Sequence, residues 1–379
     1  MKTLPTSYRV VPYEAEHKTA VADLQRHLWG PDVRLNAAYL DWKYHQNPYI
    51  REPLIYLAFE GDQLVGMRGA CATRWETGEP PEYFTLPYAD DLVIDPAHRG
   101  RGLHRLIMEF ALSDLARRGY RYAVNLSASR ITAQASRNMQ WRSAGGVMPL
   151  HRRSRRKKVV DHCSDRIRRT AFLWRSADRF AAFCLPPDER VFDQLEAQFR
   201  AQRGSKHNGT LFMDTMPRVR EMADLVQRLP RDGRIRHVRD ETYLTWRFRN
   251  PSRSYRFLYA GDEKLAGYLV LQRSLSPSPH RVSIIDWEAE TDAIRAKLLA
   301  AAIDHGHFPE LCAWRLGLSL PAARMLENHG FKPVRSQYET SILVRSLREE
   351  DLKAPWVLGA HLLDDVRQWE LRMLYSMEG

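Results

Sequence analysis

Two rhythms of apolar and polar residues run along this chain, alternation and helical recurrence, and they divide it into an ordered series of elements. YRVVPY from Tyr8 predicts a strand, and Glu14 to Trp29 carries a helical pattern. A block Tyr39-Leu40-Asp41-Trp42-Lys43-Tyr44 follows, then Asn47-Pro48-Tyr49. LIYLAFE and QLVGMRGACATRW, joined at Gly61-Asp62, predict a hairpin. Beyond a Gly/Pro segment (Thr77 to Pro81), Tyr83 to Ile94 predicts another strand, stopped at Asp95-Pro96. Leu103, Leu106, Ile107, Phe110 and Leu115 then share one helical face, with Gly119 as the expected stop.

The same order returns about 200 residues later. Tyr243-Leu244-Thr245-Trp246-Arg247-Phe248 and Asn250-Pro251 echo the first block. RFLYA, a Gly261-Asp262 turn and KLAGYLVLQRS echo the hairpin, with Leu64-Val65-Gly66 and Leu265-Ala266-Gly267 in matching places. Ala322 to Phe331 matches the helix-to-Gly step at Ser136 to Gly146. Several elements repeated in one order mean a duplicated domain. The expected fold is therefore α/β, in the sense of two copies of a mixed, mostly antiparallel sheet flanked by helices. The copies are placed at residues 7–160 and 208–346. A helical connector (161–207) joins them, and a tail (347–379) with a Pro355-Trp356 step and a final helix follows.

A length of 379 residues suits two domains, and 44% hydrophobic residues can supply their cores. The net charge of +12 and a pI near 9.6 favour anionic partners: nucleotide-like cofactors, nucleic acid or lipid surfaces. Part of that charge is the run His151 to Lys158, HRRSRRKK. It lacks the interleaved aromatics of a single-strand binder and falls where the second copy has a terminal strand, so half its charges are expected in water. No specific nucleic acid is expected. Ile167 to Phe183 mixes aromatics with arginines; packing between domains is expected there before contact with a membrane surface. Four scattered cysteines, Cys71, Cys163, Cys184 and Cys312, form no metal spacing and suit a reducing, cytoplasmic setting. The start has no apolar signal region, no run is long enough to span a membrane, and no HExxH pattern occurs, so no metal is expected.

The chemistry concentrates in YADDLVIDPAHRGRGLHRLI, Tyr88 to Ile107. A strand, a Gly-bearing turn and a helix N-terminus in succession bind phosphate, because first-turn amides lack intrahelical partners and the helix dipole favours an anion. Gly100 and Gly102 remove Cβ atoms from the path of a pyrophosphate, and Arg99 and Arg101 add charge. GxxxxGK[ST] is absent, and no GxGxxG follows a strand near the N-terminus. In the second copy the corresponding stretch is EAETDAIRAKLL. It has no glycine, and Glu288, Glu290 and Asp292 would repel phosphate.

The stretch resembles motif A of the GNAT superfamily of acyl-CoA-dependent N-acyltransferases, [Q/R]-x-x-G-x-[G/A] after a strand and a proline. Arg99, Gly102 and Pro96 match; His104 stands where Gly or Ala is usual. The resemblance implies tandem GNAT-like domains with a cofactor site in the first alone. It implies an acyl-CoA, acetyl-CoA by default, as co-substrate. The pantetheine arm would pair with Leu92, Val93 and Ile94, and the pyrophosphate would lie on Gly100, Arg101, Gly102, Leu103 and His104, with Arg99 beside it. Chemistry would be direct attack of an amine on the thioester, needing a proton acceptor and a proton for the leaving thiolate.

Asp90 and Asp91 stand next to the expected thioester, on opposite faces by strand alternation. Some relatives place a basic Glu at the position of Asp90, which makes Asp90 the first candidate for the base and Asp91 the second. A Tyr that many members use as acid is replaced by Trp141, leaving Tyr88, Tyr122, His104 or water, with Tyr88 the first candidate. The acceptor is expected to be a small amine, amino sugar or amino acid, and a homodimer is compatible with the second domain. Two other readings fit the same pattern: a related transferase using an acyl-carrier protein or aminoacyl-tRNA donor, and a non-catalytic CoA-binding protein.

Overall fold

The computed structural model describes residues 8–147, 149–169, 190–202, 211–274, 281–333 and 340–376. The first half runs β1 (Tyr8–Pro12), helices Lys18–Leu24 and Val33–Leu40, β2 (Leu54–Glu60), β3 (Gln63–Thr77) and β4 (Glu82–Ile94). Helix Leu103–Arg117, β5 (Tyr122–Ala128), helix Arg130–Arg137, β6 (Arg142–Val147), β7 (Pro149–Arg153) and helix Arg155–Arg169 follow. The second half runs β8 (Leu211–Asp214), β9 (Ile235–His237), helix Glu241–Arg247, β10 (Arg253–Ala260), β11 (Gly267–Ser274) and β12 (Arg281–Ala289). Helix Asp292–Gly306, β13 (Glu310–Trp314), helix Leu320–Asn328, β14 (Lys332–Pro333) and β15 (Thr340–Ser346) complete it. The hairpins, helix Leu103–Arg117 after β4 and the repeat of elements agree with the sequence expectation.

Neither sheet is built from one half. The first has the order β1-β2-β3-β4-β5-β15-β6, so β15, from the far end of the chain, lies between β5 and β6. The second has the order β14-β7-β13-β12-β11-β10-β8, so β7, from the first half, lies between β14 and β13. The boundaries drawn at 7–160 and 208–346 are therefore crossed by an exchange of terminal strands. Each exchanged strand covers an edge that would otherwise expose unpaired backbone groups. The exchange also sets the basic run apart from a nucleic-acid groove: β7 brings His151 and Arg153 onto Glu310 at 2.7 and 2.9 Å, and Arg152 donates to the His329 carbonyl. Burial opposes the charge of Glu310, yet those two hydrogen bonds hold its pKa down at about 2.

The repeated blocks meet face to face. Trp42 and Trp246 stack with centroids 5.1 Å apart, and each indole N–H donates to the other's carbonyl, at 2.7 and 2.8 Å. The largest apolar cluster spans both copies around this pair. The tail joins it. A closing helix was expected there, but residues 347–376 run as turns and short strands instead: β16 (Val357–Leu358), β17 (His361–Leu362) and β18 (Trp369–Glu370), the last parallel to β9. Trp356, Leu363, Trp369, Leu371, Met373, Leu374 and Tyr375 are all buried. Burial of side chains this size contributes about 1.5–3 kcal/mol each, which is why the tail follows the core and not a helical rhythm.

The connector is only partly described. Its helix Asp193–Gln202 packs Leu195 and Phe199 into the second copy's core. Most of Ile167 to Phe183, and Cys184, lie outside the described residues. Within the described residues no helix is long and apolar enough to cross a membrane, and no group of His, Cys, Asp and Glu could hold a metal ion.

Candidate functional site

β4 and β5 run parallel but pair only at Tyr88↔Val124. Past that point they diverge around a cleft of about 210 Å³, whose walls include Ala89 to Leu92 on one side and Asn125, Ser127 and Thr132 on the other. A bulge shapes the β4 wall. Gly69 pairs with Asp90 and Met67 with Val93, so β4 carries one residue more than β3 between those points. Asp91 absorbs it with φ +47°, a left-handed conformation that aspartate tolerates better than most residues.

The bulge cancels the alternation on which the sequence reading separated Asp90 from Asp91. Both carboxylates reach one ammonium: Lys43 Nζ lies 2.7 Å from Asp90 and 2.9 Å from Asp91. Lys43 also donates to the Tyr39 hydroxyl, and the Tyr44 hydroxyl donates to Asp91 at 2.6 Å. Tyr39, Lys43 and Tyr44 come from the first repeat block, where the chain widens into a π-turn over Asp41–His45 and buries Trp42, Lys43 and Tyr44 in succession. Gly69 makes room: a Cβ there would stand 1.9 Å from the Tyr44 hydroxyl. Lys43 and Asp91 side chains are wholly enclosed, while Asp90 keeps 10% of its side chain open. Burial raises the pKa of Asp91 against the pull of Lys43. Burial also works against the charge of Lys43, but Asp90 and then Asp91 outweigh it and hold the ammonium pKa well above its ordinary value. Two carboxylates on one lysine leave this cluster with a net negative charge, and Asp90 is its outlet.

The turn at the end of β4 leaves the next helix without a side-chain cap. Asp95 accepts from the Ala97 amide, Arg99 Nε donates to the Ile94 carbonyl, and Gly102, at φ +83°, is the N-cap of helix Leu103–Arg117 with no side chain to cap it. The Arg105 and Leu106 amides return to the Gly102 carbonyl, and no side chain caps the amides ahead of them. Gly100 serves a different purpose from the one the sequence suggested. A Cβ there would meet nothing within 4 Å, and it is φ +75° that calls for glycine. Arg99 and Arg101 are exposed, and Arg101 lies 3.2 Å from the Tyr8 hydroxyl. Val93 and Leu103 point into the core, so they can offer only backbone.

His104 sits at the first helical turn with Nε2 buried and without a hydrogen-bond partner. Burial, then the charge of Arg68, pushes its pKa down to about 4. It is neutral at neutral pH and a poor proton donor there. Tyr88 also departs from its expected role: it is buried in the core shared by both copies, its hydroxyl beside Cys71, and it does not line the cleft. Trp141 is buried among Met108, Ala133 and Met139, and Tyr122 is occupied with the Val357 amide. Lys43, Tyr44, Arg68, Asn125 and Ser127 went unread in the sequence. Lys43 and Tyr44 carried a signal, as the counterparts of Arg247 and Phe248 in the repeated block.

In the second copy the same cation serves the fold. Arg247 donates to the Leu374 carbonyl, the Tyr255 hydroxyl and Gln272, anchoring the tail. The helix after β12 is capped by Thr291, whose hydroxyl accepts from the Ile294 amide at 3.3 Å. The phosphate-type cap is therefore open in one copy and closed in the other.

Residues 9–144 match a family model described as the acetyltransferase (GNAT) domain. No curated protein matches the chain. Solved structures match it over both halves. A GCN5-related N-acetyltransferase from Anabaena variabilis is 12% identical over 90% of this chain and 73% of its own, with a TM-score of 0.55. A probable N-acyltransferase of unknown function from Enterococcus faecalis is 11% identical over 90% and 73%, with a TM-score of 0.53. A tandem GNAT protein from the clavulanic acid biosynthesis pathway is 12% identical over 90% and 99%, with a TM-score of 0.54. At such identities the likeness is one of fold.

Proposed function

From a chain whose first half is a GNAT acetyltransferase domain and whose two halves share the tandem-GNAT fold, we propose an N-acyltransferase that moves an acyl group, acetyl by default, from CoA to an amine. The observation that carries this reading is the uncapped N-terminus of helix Leu103–Arg117, which follows β4, the strand that walls a cleft where β4 and β5 diverge. The residues fit the group: glycine at the cap, open space at Gly100 and an unpartnered buried nitrogen on His104. The amides of Gly100 to His104 would hold the pyrophosphate, with Arg99 and Arg101 adding charge, and the backbone of Leu92 to Ile94 would hold the pantetheine arm. Acyl-CoA supplies a carbonyl already activated as a thioester.

The chain's part is to hold the amine and take its proton. Asp90, at the edge of a cluster with net negative charge, draws an ammonium into the cleft. The ammonium gives one proton to cleft water to become the attacking amine, and as the new N–C bond forms and makes the nitrogen acidic Asp90 accepts the second. Lys43 fixes the position of Asp90 through their 2.7 Å ion pair, and Asp91 holds Lys43 from the other side; both are positioning residues. Tyr88 drops out because its hydroxyl does not reach the cleft. Water in the open cleft is then the proton source for the thiolate, itself a tolerable leaving group.

The test is calorimetry with CoA and acetyl-CoA, followed by thiol release against a panel of amines. Binding with release supports the proposal. Binding without release from any amine favours a CoA-binding protein, a reading that the burial of Trp141 and Tyr88 supports. A rise in melting temperature with an acyl-carrier protein or aminoacyl-tRNA alone would sink the CoA assignment.

A further inference from the structure

The second copy also has diverging parallel strands, and they open on a larger space. β12 and β13 pair from Arg281↔Glu310 to Ile284↔Ala313. Beyond lies a cavity of about 420 Å³, bounded by the end of β12, the helix start at Thr291, the loop at Gly317 and the tail residues Glu370 and Arg372. Ligands of open α/β sheets sit beyond the carboxyl ends of such strands. The acyl-transfer reading makes no use of this space.

Pyrophosphate is the wrong ligand here, because Thr291 closes the cap and Glu290 and Asp292 flank it. The floor is a lattice of opposite charges. Arg239 lies 2.9 Å from Asp286 and 2.7 Å from Glu288, and Arg372 lies 2.8 Å from Glu288 and 3.0 Å from Glu370. Burial opposes the charge of Glu288, but Arg372 and Arg239 hold its pKa down at about 2. Arg295 donates to the carbonyls of Trp287 and Ala289, while its Nε is buried without a hydrogen bond, 3.7 Å from Asp292. Desolvating so many charges is costly, and apolar residues would pack a purely structural joint at less expense.

The signs on the lining balance: five arginines face five acidic side chains. An entering anion would compete with Glu288 and Glu370 for their arginines, and an entering cation would meet buried guanidinium groups. A molecule bearing both charges inserts without upsetting the count. We propose that this second cleft binds a small zwitterion of the amino-acid class, its carboxylate toward Arg295 and its ammonium toward Glu290 and Asp292. The site is separate from the CoA cleft and stands whether or not the chain transfers acyl groups.

The test titrates the full chain with free L-amino acids, read by melting temperature and calorimetry. The tightest is compared with its carboxamide and its N-acetyl derivative, each lacking one charge. The expected result is a rise in melting temperature with the parent and at least about tenfold weaker binding of both derivatives. The variant Glu290→Gln/Asp292→Asn should weaken the parent similarly while leaving the ligand-free melting temperature unchanged, since both side chains are about half exposed. Three results would overturn the assignment: no amino acid stabilising the chain at millimolar concentration, either derivative binding as tightly as its parent, or affinity indifferent to the rim variant. CoA affinity, measured on the same samples, judges the acyltransferase reading separately.

Discussion

Single side chains decide three outcomes that can be measured. Gly102→Glu puts bulk and negative charge at the uncapped helix start, on an exposed residue. CoA binding should vanish in calorimetry, while the chain stays folded with a modest drop in melting temperature from a side chain at φ +83°. Asp90→Asn removes the carboxylate at the cleft but leaves Lys43 paired with Asp91. Turnover should fall about a hundredfold or more with CoA affinity intact. Lys43→Met leaves two carboxylates without their shared cation, so one must take up a proton, and the acid limb of the pH–rate profile should move to higher pH. A profile that stays in place would remove Lys43 from the mechanism. His104 makes its own pH signature. Its pKa is about 4 in the folded chain against an ordinary 6.5, so the unfolded chain binds the proton first as pH falls. Its contribution to stability is whole above 6.5 and is lost between 6.5 and 4. Urea unfolding at neutral and mildly acid pH should show that loss, and His104→Asn should reduce it. His237, held at about 3 mainly by burial, adds a loss of the same sign and leaves part of the slope in place.

At the scale of elements, the bulge in β4 and the exchanged strand β15 matter most. The bulge turns Asp91 toward the same ammonium as Asp90, and Gly69 allows it by leaving space for the Tyr44 hydroxyl. β15 lies far in sequence from the cleft, yet it pairs with β5, one of the cleft's two strands. Val344 stands between Val124 and Arg142, paired with both. Val344→Pro removes a ladder donor from a strand bonded on both sides. The expected result is loss of the first sheet's cooperative thermal transition, and of CoA binding with it, although no residue of the cleft has changed.

At the scale of the molecule, the two copies form one folding unit. They exchange strands, stack Trp42 on Trp246 and share a core that the tail completes. A fragment ending at residue 160 lacks β15 between β5 and β6 and β9 beside β3, and it exposes the Trp42 face. It should show no cooperative unfolding by near-ultraviolet circular dichroism. Co-expression with the remainder of the chain should restore CoA binding. The same unity accounts for the duplication: one copy keeps an open cap, and the other closes it with Thr291 and builds an ion-pair floor.

What the sequence determined is what depends on near neighbours. Strand alternation and helical spacing located the hairpins and helix Leu103–Arg117. Pro96, Arg99 and Gly102 marked the strand-to-helix turn that carries the proposed phosphate site, and the block Tyr39 to Tyr44 with its echo at Tyr243 to Phe248 revealed the duplication. Tertiary structure decided what depends on residues far apart. It exchanged β7 and β15 because each sheet needs its edge covered and either copy can supply the strand. It drew the tail into the core because buried tryptophans outweigh local helical preference. It set Lys43 between Asp90 and Asp91, since one inserted residue in a strand reverses the facing that alternation predicts. Local rhythm fixes where elements begin and end, but which charges meet is fixed only when distant segments exclude water together.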